Sequence, residues 1–204
     1  MNPSNNLFMR DTVPYRHIFL IMAAILLFVA CRNDYVPKPR GYIRIDLPEK
    51  EYVRFDTTYP YSFPYPVYST VITDTGPATE PYWLDIVFPR FKAKIHISYK
   101  EVEGNLNRYL EDTRSMVMKH IPRANAIREE VFIFRESEVY GTVYHIEGIA
   151  AASPVQFFAT DSSKHFLRGA LYFQAAPNND SLAPVIEFIT RDIEQLCSRL
   201  RWKE

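Results

Sequence analysis

Cysteine is nearly missing from this chain: its 204 residues include two, Cys31 and Cys197. No disulfide framework can be built on so few. Glycine is scarce too, at six, and none fall in the spacing of a phosphate-cradling or dinucleotide-binding loop. The G-x-S-x-G elbow, the H-E-x-x-H metal helix and the C-x-x-C redox pair are likewise absent, which removes the commonest hydrolase, zinc-protease and thiol-exchange chemistries. Neither sign of charge is in excess, with Lys plus Arg and Asp plus Glu both at 24. A nucleic-acid partner is therefore not expected, because such domains carry a strong basic bias. There is also no apolar run long enough to cross a bilayer. The longest, Ile18 to Ala30, is about 13 residues, against about 20 for a spanning helix.

That short run is informative because of its flanks. Arg10 and Arg16 precede it, Ala30 closes it, and Cys31 follows at once. A basic start, an apolar core, a small residue and then cysteine is the order of a bacterial lipoprotein leader. A single-pass anchor is the competing reading. The leader reading divides the chain into a signal peptide over 1–30, a lipidated N-terminus and tether over 31–41, and one globular domain over 42–204. Met9, followed by Arg10, is an alternative start. Cleavage before Cys31 makes that residue the acylated N-terminus, and two or more chains anchor firmly because each buried methylene contributes about 0.8 kcal/mol. The tether contains Pro37 and Pro39 and is expected to be extended. Removing the leader takes away two arginines and one aspartate and leaves a formal charge of about −1. With Cys31 acylated, Cys197 has no partner in the chain and is expected to be buried.

The mature part, about 170 residues, is long enough for a real core, and an apolar content of 47% excludes general disorder. Prolines number 15. Between Tyr59 and Pro66 they alternate with aromatics, which predicts a stiff extended piece. Its rings serve either packing or partner contact. Just past the tether, Tyr42 to Asp46 reads as a strand of mixed charge. Trp83 to Phe88 reads as a strand, and Lys92 to Lys100 alternates at period two with Ala93, Ile95, Ile97 and Tyr99 on one side. Leu106 to His120 has helical spacing with Asn105 as its N-cap. Four strands are predicted over Ile127–Arg135, Glu138–Ile149, Val155–Thr160 and His165–Gln174, the last two joined by a hairpin turn at Asp161–Lys164. A closing helix is predicted to start at a Ser181 cap, with Pro184 in its first turn and an apolar stripe from Leu182 to Leu200. The fold class is α+β: a mostly antiparallel β-sheet packed against two α-helices. The order helix, four strands, helix is similar to the PsbP/Mog1-like arrangement.

The polar residues offer little chemistry. His145 and Glu147 share a strand face and are within reach of one metal, but two solvated side chains explain the pair as well. Ser153, Ser162 and Ser163 lack a local base, and Glu129-Glu130 reads as a charged edge. No catalytic, cofactor-binding or metal-binding residue is assigned, and the protein is expected not to be an enzyme.

The segments PKPRGYIRIDLPEK (37–50), FPRFKAKIHISYK (88–100), ASPVQFFATDSSKHFLRGALYF (152–173) and NDSLAPVIE (179–187) together resemble the GldD family of gliding-motility lipoproteins. The blocks follow in order across nearly the whole mature chain. The resemblance implies a membrane-anchored lipoprotein of the machinery that joins gliding to type IX secretion, working with other Gld lipoproteins and secretion components. It implies lipidation of Cys31, supplies no catalytic residues, and places the protein at the outer membrane, facing the periplasm. The partner surface is expected at Tyr42, Arg44, Tyr61, Tyr65 and Arg168, because arginine and tyrosine dominate interface energetics. The alternative is a periplasmic ligand- or peptidoglycan-binding lipoprotein.

Overall fold

The computed structural model describes residues 45–174 and 178–203. Cys31, Tyr42 and Arg44, with the leader and the tether, lie outside the described residues.

The period-two pattern from Ala93 to Lys100 becomes sheet. Strands β4 (Leu84–Phe88) and β5 (Ala93–Glu101) pair antiparallel, and the side chains of β5 alternate between buried and half-buried as expected. Strands β6 (Ala126–Phe134), β7 (Val139–Glu147), β8 (Val155–Thr160) and β9 (His165–Phe173) fall within a few residues of their predicted bounds. With the short β3 (Thr70–Thr73) they form a seven-stranded sheet in the order β3-β4-β5-β9-β8-β7-β6, every pair antiparallel.

The two faces of this sheet carry one helix each. Helix α1 (Leu106–Met118) sets Val117 against Tyr144, Ile146 and Phe158, and Tyr109 against the ring of Phe166 at 5.4 Å. Asn105 precedes α1, but its side chain does not cap the helix amides; Oδ1 accepts instead from the Glu103 N–H. Helix α2 (Asn179–Ser198) packs Ile189, Ile193 and Leu196 onto the main core of Ile86, Ile95, Ile97, Phe157, Leu167 and Leu171. Helix α2 starts earlier than its sequence signals suggest. Ser181 lies inside it rather than capping it, because the carbonyl of Asn178 already accepts from the amides of Ser181 and Leu182. Cys197 is buried, as expected, and burial pushes its thiol well above the ordinary range, which keeps it protonated and inert.

A second sheet, in the order β1 (Tyr52–Phe55), β2 (Tyr61–Pro66), β10 (Arg201–Trp202), is built on the proline-rich segment. The prolines fit because of register. Val67 N–H bonds to Glu51 O, so Tyr65 and Phe63 lie in the hydrogen-bonded pairs with β1 while Pro64 and Pro66 fall in the non-bonded ones. On the other edge of β2, strand β10 covers only Tyr61 and Ser62. The missing N–H groups of the prolines therefore point where no strand needs them.

Ile45 and Asp46, the described part of the strand predicted over Tyr42–Asp46, are not in a strand.

Candidate interaction surface

The expected partner residues separate on burial. Tyr61 is fully buried, stacked with Phe63 in the main core with its hydroxyl donated to the carbonyl of Tyr82, so it is not available to a partner. The reason is the strand register, which turns Tyr61 and Phe63 inward together. Tyr65 is half-buried beside the exposed Val53, its cross-strand neighbour. Arg168 is largely sunk into the sheet under α1.

The segment that follows the tether is fastened to α2 through one buried carboxylate. Asp192, 2% exposed, accepts from Lys50 Nζ at 2.6 Å, from the Tyr52 hydroxyl at 2.8 Å and from the Tyr68 hydroxyl at 2.7 Å. Lys50 also donates to the Phe188 carbonyl at 2.7 Å and to Tyr68, which uses all three of its N–H donors. Its ammonium sits 3.5 Å from the centre of the Phe188 ring, a cation–π contact. Burial pulls the Lys50 pKa down while the bond and charge of Asp192 pull it back. Burial, reinforced by Asp192, drives both tyrosine hydroxyls far above their ordinary value, so they stay protonated donors. The clamp was not foreseen, since Lys50 and Asp192 are 142 residues apart.

Beneath α1 runs a polar chain. Arg168 Nη2 donates to Gln156 Oε1 at 2.7 Å, and Gln156 Nε2 donates to His120 Nε2 at 3.0 Å. That second bond requires a neutral imidazole with its proton on Nδ1. Burial, followed by the positive charge of Arg168, holds His120 below its ordinary pKa.

Two clefts lie elsewhere. One, about 540 Å³, is lined by Tyr59, Tyr82, Tyr99 and His165. Tyr99 shares a 2.7 Å hydrogen bond with His165, and burial, followed by the charges of Glu101 and Asp161, pushes its hydroxyl up to about 12. The other, about 520 Å³, lies between β7 and α2 and holds His145 and Glu147 together, as their strand positions suggested. His145 Nε2 faces Glu130 at 3.3 Å. Among the described residues no three His, Cys, Asp or Glu side chains gather as metal ligands. Ser153 is fully buried, donates its hydroxyl to the Val155 carbonyl and does not line that cleft.

Strand β6 is an edge that sequence reasoning left out of the surface. It exposes Val131 by 69% and Ile133 by 55%, on the sheet face that also carries Tyr144 and Ile146. Among the described residues no helix is long and apolar enough to cross a membrane.

Comparison with known proteins gives a structural likeness and a family. The solution structure of cyanobacterial PsbP (CyanoP) from Synechocystis sp. PCC 6803 aligns at 11% identity over 81% of this chain and 99% of that one, with a TM-score of 0.44. No curated protein matches the sequence. The profile of the gliding motility lipoprotein GldD matches residues 32–202, beginning at the residue after Cys31 and covering every element described above. The chain belongs to the GldD family of gliding motility lipoproteins.

Proposed function

We propose that this protein is a lipid-anchored, non-catalytic subunit that assembles or stabilises the gliding machinery and the type IX secretion apparatus coupled to it. In this reading palmitoyl-type acyl chains on Cys31 hold it at the outer membrane, facing the periplasm, where it meets other gliding lipoproteins and secretion components. The observation that carries the reading is the family match, which starts immediately after the acylatable cysteine and runs to residue 202. The Asp192 clamp supports it physically. A domain tethered by its N-terminus needs the incoming chain fixed to its body, and Lys50, Tyr52 and Tyr68 do this through one helix residue. The proposed partner strip is the stretch around Tyr42 and Arg44, which follows the anchor in sequence, together with Tyr65.

The test is deletion of the gene, with colony spreading and secretion of cargo scored in the same strain. Loss of both is expected. Normal spreading with normal secretion removes the reading.

Peptidoglycan or periplasmic-ligand binding is the second reading, favoured by the tyrosine-lined cleft, whose ring faces suit a sugar. Co-sedimentation of the protein with purified peptidoglycan, lost on Tyr82→Ala, would support it over the first.

A further inference from the structure

Arg168 is an unbalanced charge. It sits on β9 facing α1, and its partners are the side-chain oxygen of Gln156 and the hydroxyl of Tyr172, both neutral. Among the described residues its Nε is the one buried side-chain nitrogen or oxygen with no hydrogen-bond partner. The neighbouring basic side chains each have a carboxylate partner. Lys100 pairs with Glu80, Lys94 and His96 share Asp85, and Arg108 has Asp112 at 3.9 Å. A buried guanidinium without a counter-ion is costly, and the cost falls when an anion arrives.

Arg168 opens on a pocket of about 390 Å³, whose other walls include Trp83, Tyr109, Met116 and Phe166. This volume suits a ligand the size of a few side chains. The aromatic walls suit an apolar group, and Met116 adapts its shape readily. The planar fork of arginine matches a carboxylate better than a point charge does. Asp112 lines the same pocket and disfavours a more highly charged anion.

We propose that this pocket binds a carboxylate carried beside an apolar or aromatic group, with Arg168 as the anion's main partner. The inference is independent of the anchoring role. It names a ligand chemistry, whether that ligand is a free small acid or the end of a partner's chain.

The test uses the lipidated protein in detergent, with the Arg168 Nε–H and Trp83 Nε1–H signals followed by nitrogen-15 NMR. N-acetylphenylalanine is the probe. Its amide and inorganic phosphate are the comparators, and a tetrapeptide ending in phenylalanine is the chain-end probe. The acid is expected to shift both signals saturably. The amide and phosphate are expected to bind about tenfold or more weakly, the size of one charge-assisted hydrogen bond. Arg168→Lys should lose a similar factor. Met116→Glu, at an exposed position that leaves the fold intact, should weaken the acid as well and stands in if Arg168→Lys does not fold. Either order of affinity between tetrapeptide and free acid upholds the site and identifies its source. No saturable shift, equal binding of acid and amide, phosphate binding as tightly as the acid, or binding indifferent to the folded variants overturns it.

Discussion

Position 192 puts a carboxylate on the buried side of α2, between Arg191 and Ile193. Helical spacing sets that residue on the apolar stripe beside Phe188, Ile189 and Leu196, where a carboxylate is unexpected, and nothing local signals the partners that arrive from residues 50, 52 and 68. The carboxylate is tolerated because three donors replace its water. Removing it strands a half-buried ammonium, and breaking a buried pair from one side costs about 3–5 kcal/mol. Asp192→Ala is therefore expected to lower the urea midpoint by an amount equal to a few kcal/mol, and Lys50→Met to cost a comparable amount, because it leaves the Asp192 carboxylate, 2% exposed, without its cation. An unchanged midpoint in Asp192→Ala would show that the clamp contributes nothing. Gly169 is a second residue that sequence reading passed over. It faces Phe157 across the β8–β9 pair, and a methyl added there would meet the Phe157 ring at 2.1 Å. The ring is fully buried. Gly169→Ala is expected to cost about 1–3 kcal/mol through overpacking, measured by thermal unfolding, and a neutral result would mean that the ring swings aside.

The elements that could be read from the sequence were those whose signal is local. Strand β5 alternates cleanly, and β8 and β9 flank a turn with recognisable chemistry. Asp161 makes that turn: its carboxylate accepts from the amides of Ser163, Lys164 and His165 at 2.8–2.9 Å. Burial works against its ionisation, but these bonds outweigh burial and hold its pKa below the usual carboxylate range. Asp161→Ala should destabilise the hairpin by about 1–3 kcal/mol, seen as faster amide exchange along β8 and β9; exchange equal to the parent's would contradict this. Strands β1, β2 and β10 carry a signal that is long-range. The alternation of proline and aromatics did predict an extended backbone, but whether such a piece joins a sheet depends on register with Glu51 to Phe55, and β10 is only Arg201–Trp202. The same limit applies to the candidate site. Arg168 could be singled out from its place on a strand, but its lack of a counter-ion depends on Gln156 and Tyr172 and on the matching of its neighbours.

For the molecule as a whole, histidines tie stability to pH. Burial lowers the pKa of both His120 and His165 from 6.5; for His120 the Arg168 charge adds to this, while for His165 the Asp161 charge partly offsets it. The unfolded chain thus binds more protons near and below that value, so folding stability is complete above pH 6.5 and declines as pH falls through the unfolded pKa toward the folded ones. The urea midpoint should be lower at about pH 5.5 than at about pH 7.5, and His120→Asn should shrink the difference. A midpoint that rises on acidification would contradict the assignment of both residues.

In the proposed function, a folded domain works from a lipid anchor at Cys31 in the gliding machinery. The direct measurement is complementation of the deletion strain by Cys31→Ser, with the protein's abundance, membrane fractionation and colony spreading recorded together. The Cys31→Ser protein is expected to leave the membrane fraction and to fail to restore spreading. Full spreading from a soluble Cys31→Ser protein would contradict this.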